Sequence, residues 1–269
     1  MANYLIVVEG EKIEIGLIKY IFSVALPTYR VESTVYKGTK TTKFVDANCE
    51  DNVIYVIKPK RNRLSNVVQD IKTNGDDIFA FNVYFSEEID SDFFAKKFLI
   101  FDADYTSNID IEIALNHFND EYSNGLLVLS LPCIEALSDD INNSYAIDLD
   151  KRISETYKPA IKKYIRKISQ TCQLYGYERY LCRNSFKLMD KCLRKNILFC
   201  NNDKQFMDHH LYLDKKSLPY IRKNKRIYPL ITSFLYIVVG SILDFDQKDN
   251  PAKDLSDYLS SIKTEEECI

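Results

Sequence analysis

The 269-residue chain is 46% hydrophobic with a formal net charge of −3, enough apolar content to bury a sizeable core in one large domain or two. Seven cysteines, an odd number, argue for free thiols in a reducing compartment rather than a disulfide framework. No secretory leader pattern opens the sequence, and its longest apolar stretch, Leu230 to Leu243, has 14 residues where a membrane helix needs about 20. A cytoplasmic protein that does not enter a membrane is therefore expected.

Tyr4 to Val8 is a continuous apolar run ending in Glu9-Gly10, the pattern of a strand buried on both faces of a parallel sheet. Glu11 to Leu26 follows with apolar residues at Ile15, Ile18, Ile21, Phe22 and Ala25, a helical period closed by Pro27. Tyr29–Tyr36 and Val53–Ile57 read as strands, with a polar, threonine-rich turn around Lys37-Gly38-Thr39 between them. Leu64 to Lys72 reads as a short helix stopped at Asn74-Gly75, and Ile78 to Phe85 as a further strand. Phe98 to Phe101 is a second buried-strand run, ending in Asp102-Ala103-Asp104. A helix from about Asn108 to Asn119 and a strand from Leu126 to Ser130 complete an alternation that argues for an α/β sheet. Beyond Ser138 helical spacing dominates. The expected organisation is an α/β domain over 1–145 and a mainly helical domain over 146–269.

In parallel sheets, ligands collect at the carboxyl ends of the strands, where Glu9, Asp102 and Asp104 all fall. Strand side chains alternate, so the i and i+2 acids Asp102 and Asp104 share a face. Three converging carboxylates need a divalent cation to neutralise them, and an oxygen-only donor set suits Mg²⁺ or Mn²⁺. The bland alternative is that one acid caps a helix while the Asp pair sits on a solvated turn.

These residues resemble a known family. Val-Val-Glu9-Gly10-Glu11-Lys12 followed by an amphipathic helix, then Phe-Asp102-Ala-Asp104, is similar to the toprim domain of topoisomerases, primases, OLD-type nucleases and small bacterial defence nucleases. Gly125-Leu-Leu-Val-Leu-Ser130-Leu-Pro-Cys-Ile-Glu135 extends the resemblance to RloB-like proteins and to the small toprim effectors of PARIS phage-defence systems. RloB-like chains usually read Glu-Gly-Glu-x-Thr-Glu, where this chain has Ile13-Glu14 for the final pair. The resemblance covers about residues 3–140. It implies a toprim-like fold with Mg²⁺ held mainly by Asp102 and Asp104, Glu9 as general base or further ligand, and Glu135 as another candidate ligand. It also implies antiviral defence by abortive infection, with an ABC-type ATPase acting beside the nuclease. No Walker sequence occurs here, so such an ATPase would be a separate chain.

Charge is distributed unevenly. Residues 1–150 carry 13 Lys and Arg against 25 Asp and Glu, whereas residues 151–230 carry 20 against 6. A basic segment beside an acidic one suggests nucleic-acid contact by the basic part. Lys162, Lys163, Arg166 and Lys167 recur at helical spacing, and Arg179 and Arg183 lie among Tyr175, Tyr177 and Tyr180, as base-stacking surfaces require. Arg222-Lys223-Asn224-Lys225-Arg226 adds another cluster, and Lys12, three residues past Glu9, is a candidate phosphate contact near the acids. Solvated helix faces, or pairing with the acidic half, are the plain alternative for these charges.

Two other constellations carry less. Cys172, Cys182, Cys192 and Cys200 lack the close pairs that zinc sites use, and the adjacent His209 and His210 point apart on a helix or a strand, which favours a minor part in RNA contact or acid–base work over a shared ligand role. The acids and the basic segment, taken with the resemblance, lead to an expected Mg²⁺-dependent nuclease. The resemblance to PARIS effectors implies tRNA or another RNA as the favoured substrate, and that to OLD-type nucleases implies DNA as a second. A homodimer is compatible with this. A non-catalytic toprim-fold module that binds nucleic acid, or that regulates through its acidic half, is the competing class.

Overall fold

The computed structural model describes residues 2–10, 13–36, 39–59, 62–74, 91–102 and 108–130, together with the short pieces 147–148, 226–227, 242–243, 257–258 and 261. The chain divides into two compact units, Met1–Leu129 and Ser130–Ile269. The expected boundary near residue 145 and the expected strand Ile78–Phe85 fall outside the described residues, as does most of the expected helical domain.

Unit 1 is an α/β fold built on a seven-stranded sheet. In chain order its described elements are β1 (Asn3–Val8), α1 (Ile13–Ala25), β2 (Tyr29–Tyr36), β3 (Thr39–Asp46), β4 (Cys49–Ile57), α2 (Leu64–Asn74), a 3-10 turn at Ser91–Phe93, β5 (Lys96–Asp102), α3 (Asn108–His117), β6 (Asn119–Asp120) and β7 (Gly125–Ser130). The strands lie in the order β2-β3-β4-β1-β5-β7-β6. β1 is central and parallel to both neighbours, with Val7 opposite Ile57 of β4 and Val8 opposite Ile100 of β5. Tyr4 to Val8 are all buried, as a strand covered on both faces requires.

One half of the sheet is not parallel. β2, β3 and β4 form an antiparallel meander, with Val31 opposite Phe44 and Phe44 opposite Ile54. This corrects the expectation of two strands joined by a polar turn. Thr39 to Asp46 forms a full strand because threonine is β-branched and suits a pleated, paired backbone. Thr41 and Thr42 are buried, and Phe44 meets Phe22 of α1 edge to face, with ring centroids 4.9 Å apart. Burial of such a side chain contributes about 1.5–3 kcal/mol, so this contact fastens the meander to α1. β2, at the sheet edge, is exposed from Arg30 to Val35, and Arg30 pairs with Glu32 and with Glu50. Charges of this kind discourage strand addition at an open edge.

On the other side of β1, the β6–β7 hairpin turns at Gly125. Its φ of 108° lies in the left-handed region, and a side chain there would strike Leu99 of β5. Asp120 braces the turn by accepting from the Tyr122 backbone N–H and the Ser123 hydroxyl. α2 buries Leu64, Val67 and Val68, and α3 buries Ala114 and Leu115. The two helices are linked by Lys72 and Asp110 at 3.1 Å.

Unit 2 contributes a short antiparallel pair, β8 (Ile147–Asp148) with β9 (Arg226–Ile227), in which Asp148 stands opposite Arg226. No described helix is long and apolar enough to cross a membrane.

Candidate metal centre at the carboxyl edge of the sheet

Parallel pairing decides where the acids fall. Because β1 and β5 run side by side in register, the residues that follow Val8 and Ile100 leave the sheet at the same edge. Glu9 extends the ladder by one bond, its backbone N–H donating to the Ile100 carbonyl at 3.2 Å. Its side chain then reaches across to β5, where Oε2 accepts the backbone N–H of Asp102 at 2.9 Å. Asp102, the last residue of β5, is only 5% exposed. Two carboxylates separated by 93 positions in the chain are thus fixed at the ends of adjacent parallel strands.

Two further described residues lie at the Glu9-Gly10 turn. Asn62, on the loop between β4 and α2, donates its side-chain N–H to the Glu9 carbonyl at 2.6 Å. Glu14, in the first turn of α1, is 9% exposed, and its carboxylate lies so close over Gly10 that a methyl group added there would overlap it. A carboxylate at that position is also favoured by the helix macrodipole. A side chain at position 10 would therefore displace the Glu14 carboxylate.

Asn62 had no signal in the sequence taken by itself, since its role depends on β4 lying beside β1. Glu14 carried one: it is the last acid of the Glu9-Gly10-Glu11-Lys12-Ile13-Glu14 run. Of the other expected site residues, Asp104, Glu135 and Lys12 fall outside the described residues. So do Lys162, Lys163, Arg166, Lys167, Arg179, Arg183, Arg222, Lys223 and Lys225, and also His209 and His210. Arg226 is placed in β9.

Among the described residues, no group of three or more His, Cys, Asp or Glu side chains stands ready to enclose a metal ion. What the described residues offer is a pair of oxygen donors, Glu9 and Asp102. That chemistry fits Mg²⁺, which keeps several waters and is commonly held by one or two carboxylates together with substrate phosphates. A soft-metal site would need thiolate or imidazole donors, and neither takes part in these contacts. Comparison with family models, with curated proteins and with solved structures gives no match for this chain.

Proposed function

We propose that unit 1 is the catalytic module of a Mg²⁺-dependent nuclease of toprim type, hydrolysing phosphodiester bonds in RNA, with tRNA the favoured substrate. The observation that carries this reading is the bond from the Asp102 backbone to the Glu9 carboxylate, which joins two acids at the carboxyl ends of two adjacent parallel strands, where ligands gather. Asp102, with Asp104 two residues on, would hold Mg²⁺, and the ion supplies Lewis acidity toward a phosphoryl oxygen. Glu9 is held on three sides, through its own N–H, its carbonyl and its Oε2. Its carboxylate is the group assigned to take a proton from the attacking water. A carboxylate immobilised in this way is preorganised and loses little freedom at the moment of reaction.

The basic segment 151–230 would hold the nucleic-acid strand, since each cation set against a phosphate releases a counterion. By the resemblance of residues 3–140, the biological setting is phage defence with an ATPase partner chain. The test is incubation of the full chain with labelled tRNA, single-stranded DNA and duplex DNA, in Mg²⁺ and in excess EDTA. Cleavage of tRNA in Mg²⁺ alone is the expected result. Cleavage confined to DNA would move the substrate class, and no cleavage of any substrate would end the nuclease reading.

A further inference from the structure

The loop that follows β4 reads Lys58-Pro59-Lys60-Arg61-Asn62-Arg63, four cations in six residues. The rest of residues 1–150 holds nine Lys and Arg against 25 Asp and Glu, so this loop is opposite in sign to nearly everything around it in sequence. Its position follows from strand pairing. β4 ends at Ile57, which stands opposite Val7 of β1, so the loop leaves the sheet at the edge where Glu9 and Asp102 lie. Among its described residues, Pro59 is buried and Asn62 is tied to the Glu9 carbonyl at 2.6 Å. Directly beyond Asn62, the Arg63 carbonyl accepts the N–H groups of Asn66 and Val67 and opens the first turn of α2. Arg63 is exposed and makes no ion pair among the described residues.

An acidic module that must accept a polyanion faces repulsion unless cations stand at its reacting edge. Guanidinium groups suit phosphate through paired N–H donors, lysine serves as a point charge, and the amino end of α2 adds favourable dipole charge. From these observations we infer that Lys58 and Arg63, with Lys60 and Arg61 between them in the sequence, belong to a phosphodiester-binding element that grips the nucleic-acid backbone beside the Glu9–Asp102 pair. The inference takes the place of cleavage from the nuclease reading above, whereas the binding chemistry can be measured apart from it.

The experiment uses the full chain and a short fluorescein-labelled single-stranded RNA, with single-stranded DNA of the same sequence as a second arm. Affinity is measured against KCl concentration in EDTA, so that cleavage does not interfere. Lys58→Gln/Lys60→Gln/Arg61→Gln/Arg63→Gln, which keeps Asn62, should bind more weakly, and its log–log salt slope should fall by about 0.7 for each phosphate no longer neutralised. Lys58→Arg/Lys60→Arg should keep the wild-type slope. If the four-site variant does not fold, Lys60→Gln/Arg61→Gln puts the same question with a smaller change in slope. Unchanged affinity and slope, or a wild-type protein that binds neither probe, would overturn the inference. A wild type that cuts RNA in Mg²⁺ with a salt slope insensitive to these substitutions would overturn the loop assignment and leave the nuclease reading standing. A reduced slope in a protein that never cuts would do the reverse.

Discussion

Glu9 combines a structural contact with a proposed chemical one, and a single atom change separates them. Glu9→Gln preserves an oxygen that can accept the Asp102 N–H, so the turn between β1 and α1 should persist. What it removes is the ability to take a proton, and a positioned general base contributes about 10²–10⁴-fold to turnover. A fall in kcat within that range at unchanged melting temperature is expected, and near-wild-type turnover would mark Glu9 as a structural acceptor. Gly10 makes the neighbouring case. In Gly10→Ala the new methyl group meets the far end of the Glu14 side chain rather than backbone, so the side chain should yield first. A stability loss of about 1 kcal/mol is expected, and it should vanish when Glu14→Ala is already present. Additive losses in that double-mutant cycle would show that Gly10 is needed for another reason.

The elements were legible in the sequence to the extent that their burial was written in apolar runs. β1 and α1 announce themselves because nearly every buried position carries Ile, Leu, Val or Phe. The placement of Glu9 and Asp102 was legible for the same reason, since each terminates such a run. β3 was not, because Thr39-Lys-Thr-Thr-Lys reads as polar until its pairing on both sides is known. Asn62 was hidden in the same way: it acts on a main-chain carbonyl 53 residues away, a partner that only the sheet order brings near.

β5 also begins earlier than its apolar run. Lys96 and Lys97 are 7% and 5% exposed, and both make use of the β6–β7 turn region. The Lys96 ammonium sits 5.4 Å from the centroid of the Tyr122 ring, and the Lys97 backbone N–H donates to the Glu121 carbonyl. Burial lowers the pKa of the Lys97 ammonium below 10.5, while Asp92 and Asp120 pull it the other way. Between its lowered native value and 10.5, the unfolded chain holds a proton that the native one has released, so native stability rises with pH there. Lys97→Met has no such ionisation. Urea unfolding of both proteins from neutral pH to 10.5 should show the difference, variant minus wild type, falling as pH rises. A constant difference would mean that the ammonium is solvated after all.

For the whole molecule, the organising feature is a charge division along the chain that matches the proposed labour: acids for the metal in residues 1–150, cations for the strand in 151–230. Replacing Lys162, Lys163, Arg166 and Lys167 together with Gln should weaken nucleic-acid binding and lower the salt slope by roughly 0.7–0.9 for every phosphate that is no longer neutralised. Mg²⁺ binding without nucleic acid, measured as a metal-induced rise in melting temperature, should be unchanged. If affinity and slope both stay at wild-type values, these cations form a solvated face and the substrate is held elsewhere.

The central claim is that Asp102 serves chemistry through a metal beside Glu9, and it is tested most directly by tRNA cleavage with wild type and Asp102→Ala in parallel across Mg²⁺ concentrations. The account predicts Mg²⁺-dependent cleavage by the wild type and none by a folded Asp102→Ala protein at any Mg²⁺ concentration. Cleavage by Asp102→Ala at the wild-type rate and with the wild-type Mg²⁺ dependence would contradict it.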